Sequence, residues 1–102
     1  MEPIVELRRA EIERLCKSHR VRKLELFGSA ATGGFDPRNS DLDFLVEFER
    51  MEPVEYAEAY FGLLEGLEDL FGLPVDLVVE RSIDNPYFLR SIQATRTPLH
   101  AA

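Results

Sequence analysis

Gly28-Ser29-Ala30-Ala31-Thr32-Gly33-Gly34-Phe35-Asp36-Pro37-Arg38-Asn39-Ser40-Asp41-Leu42-Asp43 is the stretch on which the reading of this chain turns. It follows an apolar run ending at Phe27 and leads into another beginning at Leu42. A turn built on Gly28 and Ser29 lets backbone N–H groups and a hydroxyl come close to phosphate oxygens, because glycine puts no Cβ in the way. Asp41 and Asp43 stand at i and i+2 of a strand, so both carboxylates project to one face and can share metal ions. Either half alone is common in loops and strand starts. Joined, and flanked by apolar strands, they make a site for a triphosphate and its divalent metal.

A third carboxylate lies further along, in Leu73-Pro74-Val75-Asp76-Leu77-Val78-Val79. A carboxylate inside a Val/Leu strand is costly to bury unless it is paired, hydrogen-bonded or bound to a cation, whereas at a strand edge in water Asp76 would carry no such cost. If this strand lies beside the one carrying Asp41 and Asp43, the three acids share a face and repel one another. A doubly charged cation resolves that repulsion. Oxygen-only ligation favours Mg²⁺, with Mn²⁺ as the other candidate, and Mg²⁺ works with a few carboxylates plus substrate phosphates. Two such ions can stabilise the attacking and leaving oxygens of an in-line phosphoryl displacement.

Apolar periodicity supplies the surrounding elements. Ile4, Leu7, Ile12, Leu15 and Cys16 recur at helical spacing and predict one amphipathic helix over 4–18. His19 falls just past its end, where a capping role outranks catalysis. Residues 21–27 alternate as a strand, 30–33 begin a short helix, 33–40 form a loop, and 41–48 make a second strand. Pro53 opens a helix over 53–71, whose Gly62 and Gly66 suggest close packing on the sheet. Residues 73–79 form a third strand, and Asn85-Pro86 starts a last helix to about Thr95, which Pro98 ends. Tyr87, Phe88, Leu89, Ile92 and Leu99 of this last segment serve either a partner interface or core packing.

Size and composition narrow the function classes. The chain has 102 residues, 45% hydrophobic and 10% aromatic, which suits one modest core and a single domain over 1–102. Its net charge of −7 argues against direct nucleic-acid binding, which relies on clustered Lys and Arg. The charge suits a nucleotide delivered with metal, or a basic protein partner. Arg8, Arg9, Arg14, Lys17, Arg20, Arg22 and Lys23 crowd the first quarter, which reads as a solvated basic helix or as a docking face. No apolar run reaches the roughly 20 residues of a membrane span, and Met1-Glu2-Pro3 does not open a secretory leader. A cytoplasmic location is therefore expected. The single Cys16 is expected to be a small core residue.

Gly28-Ser29, Ser40-Asp41-x-Asp43 and the later strand residue Asp76 resemble the nucleotidyltransferase superfamily that includes DNA polymerase beta. The short length and the arrangement of acids look most like its minimal nucleotidyltransferases, small antitoxins partnered with HEPN-domain toxins. The resemblance runs over nearly the whole chain, including the closing Asn85-Pro86-Tyr87 helix. It implies an α+β fold with a small mixed sheet and helices packed on one side. It implies that Gly28, Ser29 and Ser40 hold the nucleotide, with the first two on the β- and γ-phosphates of ATP. Asp41, Asp43 and Asp76 would be the catalytic and metal-ligating residues, with Asp76 helping to activate the acceptor hydroxyl.

Antitoxins of this kind transfer AMP from ATP to a tyrosine of the toxin and silence its RNase. The implied function is thus a Mg²⁺-dependent protein adenylyltransferase acting within a hetero-oligomer. The shortness of the chain points the same way, since an acceptor surface has to come from elsewhere. One departure stands out. The family pattern reads Gly-Ser-x-Ala-Arg-Gly, and this chain has Thr32 at the arginine, with Arg38 as the guanidinium left in the loop. A non-catalytic antitoxin that blocks the toxin by direct binding is therefore the alternative. Transfer to a small molecule such as an aminoglycoside is the third and weakest reading.

Overall fold

The computed structural model describes residues 1–102. Four strands form one sheet in the order β3-β2-β1-β4: β1 is Val21–Phe27, β2 Leu42–Phe48, β3 Val75–Val79 and β4 Thr97–Ala101. β1 runs antiparallel to β2 and β4, whereas β2 and β3 are parallel, so the sheet is mixed. The parallel pair needs a crossover, and the helix α4 (Pro53–Phe71) provides it.

Alternation along the central strands builds two unequal cores. Leu24 and Leu26 of β1 and Leu42, Phe44, Val46 and Phe48 of β2 point to one face. There they meet Val5 of α1 (Pro3–Glu6), Ile12 and Cys16 of α2 (Arg9–Ser18), and Ala59, Leu63 and Leu67 of α4. Each buried Leu, Ile, Val or Phe among them contributes about 2 kcal/mol of transfer free energy. The helical layer expected on one face is this one. A smaller cluster of Phe27, Leu45 and Ile92 lies on the opposite face, with Ile92 supplied by α5 (Pro86–Gln93). α5 begins at Asn85, whose side-chain oxygen accepts from the N–H groups of Tyr87 and Phe88, and Pro86 at the first helical position suits the cap.

Several expectations change. The helix read over 4–18 is two helices, with the break at Leu7 and Arg8, and Leu7 is left exposed. Gly62 and Gly66 pack against α2 and its end, not against the sheet. An added Cβ would lie 2.7 Å from His19 Cδ2 at the first and 2.7 Å from Leu15 Cδ2 at the second. His19 caps α2 as expected: its ring Nδ1 is 2.8 Å from the Leu15 carbonyl oxygen. Pro98 does not simply stop a helix but sits inside β4, opposite Glu25. As an edge strand, β4 tolerates a residue without an N–H. Tyr87 and Phe88 stay exposed, while Ile92 and Leu99 are buried as core residues.

β3 is the other edge. Leu42 N–H donates to the Pro74 carbonyl, so in this parallel pair residues 74, 76 and 78 face β2 with their backbone groups and 75, 77 and 79 face outward. Each outward residue has one backbone group taken by a side chain. Glu68 Oε2 accepts from Val75 N–H (3.5 Å), Tyr60 Oη donates to Leu77 C=O (2.6 Å), and Ser82 Oγ donates to Val79 C=O (2.7 Å).

Candidate active site

Cross-strand register sets the site. Phe27 at the end of β1 stands opposite Asp43 on β2, and Asp43 stands opposite Asp76 on β3. Directly paired residues share a face, so Phe27, Asp43 and Asp76 form a row across three strands. Asp41, two residues before Asp43 at the mouth of β2, continues the cluster. The expected adjacency of the second and third strands is therefore present, and it is what brings Asp76 to Asp43. The burial argument for Asp76 is not what holds: β3 is an edge strand and Asp76 is exposed. Asp43 is the part-buried member.

Electrostatics follow from that placement. Burial pushes the Asp43 carboxyl up to about 6, and the nearby charges of Asp76 and Asp41 push in the same direction. Burial and then Asp76 also raise the Tyr60 phenol above its ordinary value. Carboxylates that destabilise one another, with oxygen as their only donor atom, fit a hard divalent cation. They stand as neighbours in a row: no group of three or more His, Cys, Asp or Glu encloses a single point at ligating separation.

Gly28 completes the geometry. Its φ of +73° and ψ of −151° lie in a region that only glycine adopts without strain. An added Cβ would fall 2.5 Å from Asp43 Oδ2, so the bare main chain of the turn packs directly against the carboxylate. Ser29 opens the short helix α3 (Ser29–Thr32), and Ala30 behind it is buried, with its carbonyl accepting from Glu2 N–H at 2.7 Å. Gly28 N–H itself is not free: it donates to Thr95 Oγ1 at 2.9 Å. Nothing in the sequence marked Thr95, because the contact joins residues far apart in the chain.

The loop between turn and carboxylates is held locally. Asp36 accepts from Arg38 N–H (3.0 Å) and from Asn39 Nδ2 (2.9 Å), and these bonds keep its carboxyl below the usual range. Ser40 Oγ accepts from Asp36 N–H at 3.2 Å, so this hydroxyl closes the loop. Thr32 Oγ1 turns back on the carbonyls of Ser29 (3.3 Å) and Gly28 (3.5 Å). A cavity of about 360 Å³ opens elsewhere, lined by Lys23, Glu47, Tyr56, Glu80, Arg81 and Leu89 among others, and none of the carboxylate row lines it. Within the row, Asp76 on the edge strand is the exposed end and Asp43 on β2 is half-buried.

The glycine turn packed against the strand carboxylate is the feature to set beside known proteins. The chain belongs to the nucleotidyltransferase domain family, whose model matches residues 9–98. A Methanocaldococcus jannaschii protein named as a putative protein adenylyltransferase is 38% identical over 93 residues, covering 91% of each chain. A second of the same name and organism is 39% identical over 79 residues, covering 78% of this chain and 76% of its own. Among solved structures, a putative minimal nucleotidyltransferase superposes with a TM-score of 0.69 at 31% identity, covering 96% of each chain. A toxin–antitoxin crystal structure with AMP-PNP gives the same TM-score of 0.69 at 24% identity, covering 92% of this chain and 73% of that one, and shows likeness of fold. The chain is thus a nucleotidyltransferase of the minimal kind. No helix is long and apolar enough to cross a membrane.

Proposed function

We propose that this nucleotidyltransferase, with residues 1–102 acting as one domain, moves AMP from ATP to a tyrosine hydroxyl of a HEPN-type toxin and so neutralises it. The observation that carries the reading is the Asp43–Asp76 register pair with Gly28 packed against it. The names of the M. jannaschii relatives support protein as the acceptor, and the toxin–antitoxin neighbour supports the partner class and the nucleotide.

Gly28 and Ser29 would seat the β- and γ-phosphates, and Asp41, Asp43 and Asp76 would hold Mg²⁺, or Mn²⁺ in its place. The metal would supply charge neutralisation on the phosphates and a lowered proton affinity at the acceptor. The acceptor oxygen bonds to the α-phosphorus as the bond to the β-phosphate oxygen breaks, and pyrophosphate leaves. The hydroxyl proton passes to Asp76 or to water. The protein's own part is positioning and electrostatics, with no covalent enzyme intermediate. Ser40, whose Oγ accepts from Asp36 N–H, would support the nucleotide site through the position of Asp41.

The test uses ATP labelled at the α-phosphate, Mg²⁺ and the protein encoded beside this chain. Label on that partner with wild type, and none with Asp41→Asn/Asp43→Asn, is the expected result. Equal labelling by both, or by neither, removes the reading.

A second reading is favoured by one observation. Thr32 stands where the family's arginine would be, and its hydroxyl is spent on the turn carbonyls. The protein would then neutralise its partner by binding alone. Neutralisation that survives alanine at Asp41, Asp43 and Asp76 together supports this second reading over the first.

A further inference from the structure

The geometry points to Thr95 as a positioning residue that fixes the Gly28 turn over the Asp43 carboxylate, held in place by an Arg96 clamp; this rests on the nucleotide-site reading above. At Gly28 the turn packs on Asp43 so closely that an added Cβ would lie 2.5 Å from Oδ2. The Gly28 conformation, with φ +73° and ψ −151°, is reachable only by glycine, and a glycine has many other conformations open to it. Something has to select this one. The N–H of Gly28 is the handle, and Thr95 Oγ1 accepts it at 2.9 Å across the gap between β1 and the α5–β4 junction.

The junction itself is immobilised from three directions. Thr95 N–H and Arg96 N–H both donate to Ile92 C=O, at 3.0 and 2.9 Å, and Ile92 is fully buried in the small core beside Phe27. Thr97 Oγ1 donates to Thr95 C=O at 3.1 Å. The Arg96 guanidinium lies between Glu25 of β1 and Glu80 after β3, bonding Glu25 through Nε (3.2 Å) and Nη2, and Glu80 through Nη1 (3.4 Å) and Nη2 (3.0 Å). Glu25 is only 5% exposed, so this ion pair is anchored on the sheet and is not a surface contact. A charge clamp thus fixes residue 96, and its neighbour reaches out to the turn.

The consequence is for nucleotide binding. Without the Thr95 hydroxyl, the Gly28 N–H loses its partner and the turn regains alternatives, so the phosphates must order it on arrival. The cost falls on affinity for the nucleotide more than on global stability, because one hydrogen bond at the margin of the fold is removed and no core side chain is.

The experiment measures Mg–ATP binding calorimetrically with wild type, Thr95→Val, Thr95→Ala and Thr95→Ser, beside thermal melts. The valine variant keeps the shape, alanine guards against a misfit methyl, and serine restores the oxygen. Expected are an affinity about tenfold weaker for valine and alanine, recovery to within about twofold for serine, and amide exchange at Gly28 that is slow in wild type and fast in alanine. Valine and alanine variants that fold and bind Mg–ATP as wild type does would overturn the assignment. So would a serine variant as weak as alanine. Failure of wild type itself to bind Mg–ATP would instead remove the site reading on which the assignment rests, and the two failures are distinct in the same data.

Discussion

At Asp43 three effects meet: partial burial, the charges of Asp76 and Asp41, and the Gly28 main chain against one oxygen. Its folded-state value near 6 lies above the 3.8 of an unperturbed aspartate, so between those limits the folded chain holds a proton that the unfolded chain has lost. Stability therefore falls as pH rises through this window and stays lower above it. Asp43→Asn removes the effect. The variant should melt above wild type at pH 7.5, with the gap closing below pH 4, and Mg²⁺ should raise the wild-type midpoint but not the variant's. Equal melting temperatures at both pH values would show that Asp43 is not strained by its neighbours. Activity should move the opposite way, with Asp43→Asn or Asp76→Asn losing about a thousandfold in transfer. Gly28→Ala should lose on both counts, by roughly 1–3 kcal/mol of stability for the positive φ plus the clash with Asp43, measured by denaturant unfolding. If Thr32→Arg alters neither nucleotide affinity nor transfer, the departure from the family pattern is without consequence.

Among the elements, α4 against α2 offers a sharp case. Replacing a helical glycine by alanine ordinarily gains about 1 kcal/mol. At Gly62 the new methyl would meet the His19 ring at 2.7 Å, and that ring is tied to Leu15 C=O. At Gly66 it would meet only the tip of the Leu15 side chain. Gly62→Ala should therefore destabilise by about 1–2 kcal/mol and Gly66→Ala should be near neutral or stabilising. In a double-mutant cycle, His19→Ala should relieve most of the Gly62→Ala penalty. Additive effects would mean that the two side chains do not meet. The strands with strong patterning were legible from sequence, as were α4 and the capped start of α5. β4 was not, because Thr97-Pro98-Leu99-His100-Ala101 contains a proline and no alternation, and only its place at a sheet edge permits it. Nor was the break at Leu7 and Arg8, which follows no glycine or proline.

For the molecule as a whole, long-range ion pairing matters more than its small number of participants suggests. Arg96 joins β1 to the segment after β3, and its hydrogen bonds hold the Glu25 carboxyl below the ordinary range. That stabilisation is present above the unfolded value of 4.5 and is lost as pH falls through the depressed folded value. Arg96→Met leaves Glu25 buried with only Lys23 nearby, and should cost about 3 kcal/mol, seen as a lower denaturant midpoint that Glu25→Gln partly restores. No restoration would mean that the charge of Glu25 is not the source. Asp41 and Asp43 of the candidate site stood out through a local signal, the Ser-Asp-x-Asp start of an apolar strand, whereas Asp76 was singled out by a burial cost that its edge strand does not impose. Their supports, Thr95 and Arg96, were not legible, since their partners lie 67 and 71 residues away and carry no pattern.

The outer margin of β3 has one more consequence. Asp76 sits on the last strand of the sheet, so under the proposed transfer a chain offering its hydroxyl would approach an open β-edge. Such an edge tends to capture visitors as an extra strand and to seed fibrils. Glu68, Tyr60 and Ser82 each occupy a backbone group that a captured strand would need. A strand arriving at β3 would therefore find one backbone group of each outward residue already taken, which disfavours its addition to the sheet there.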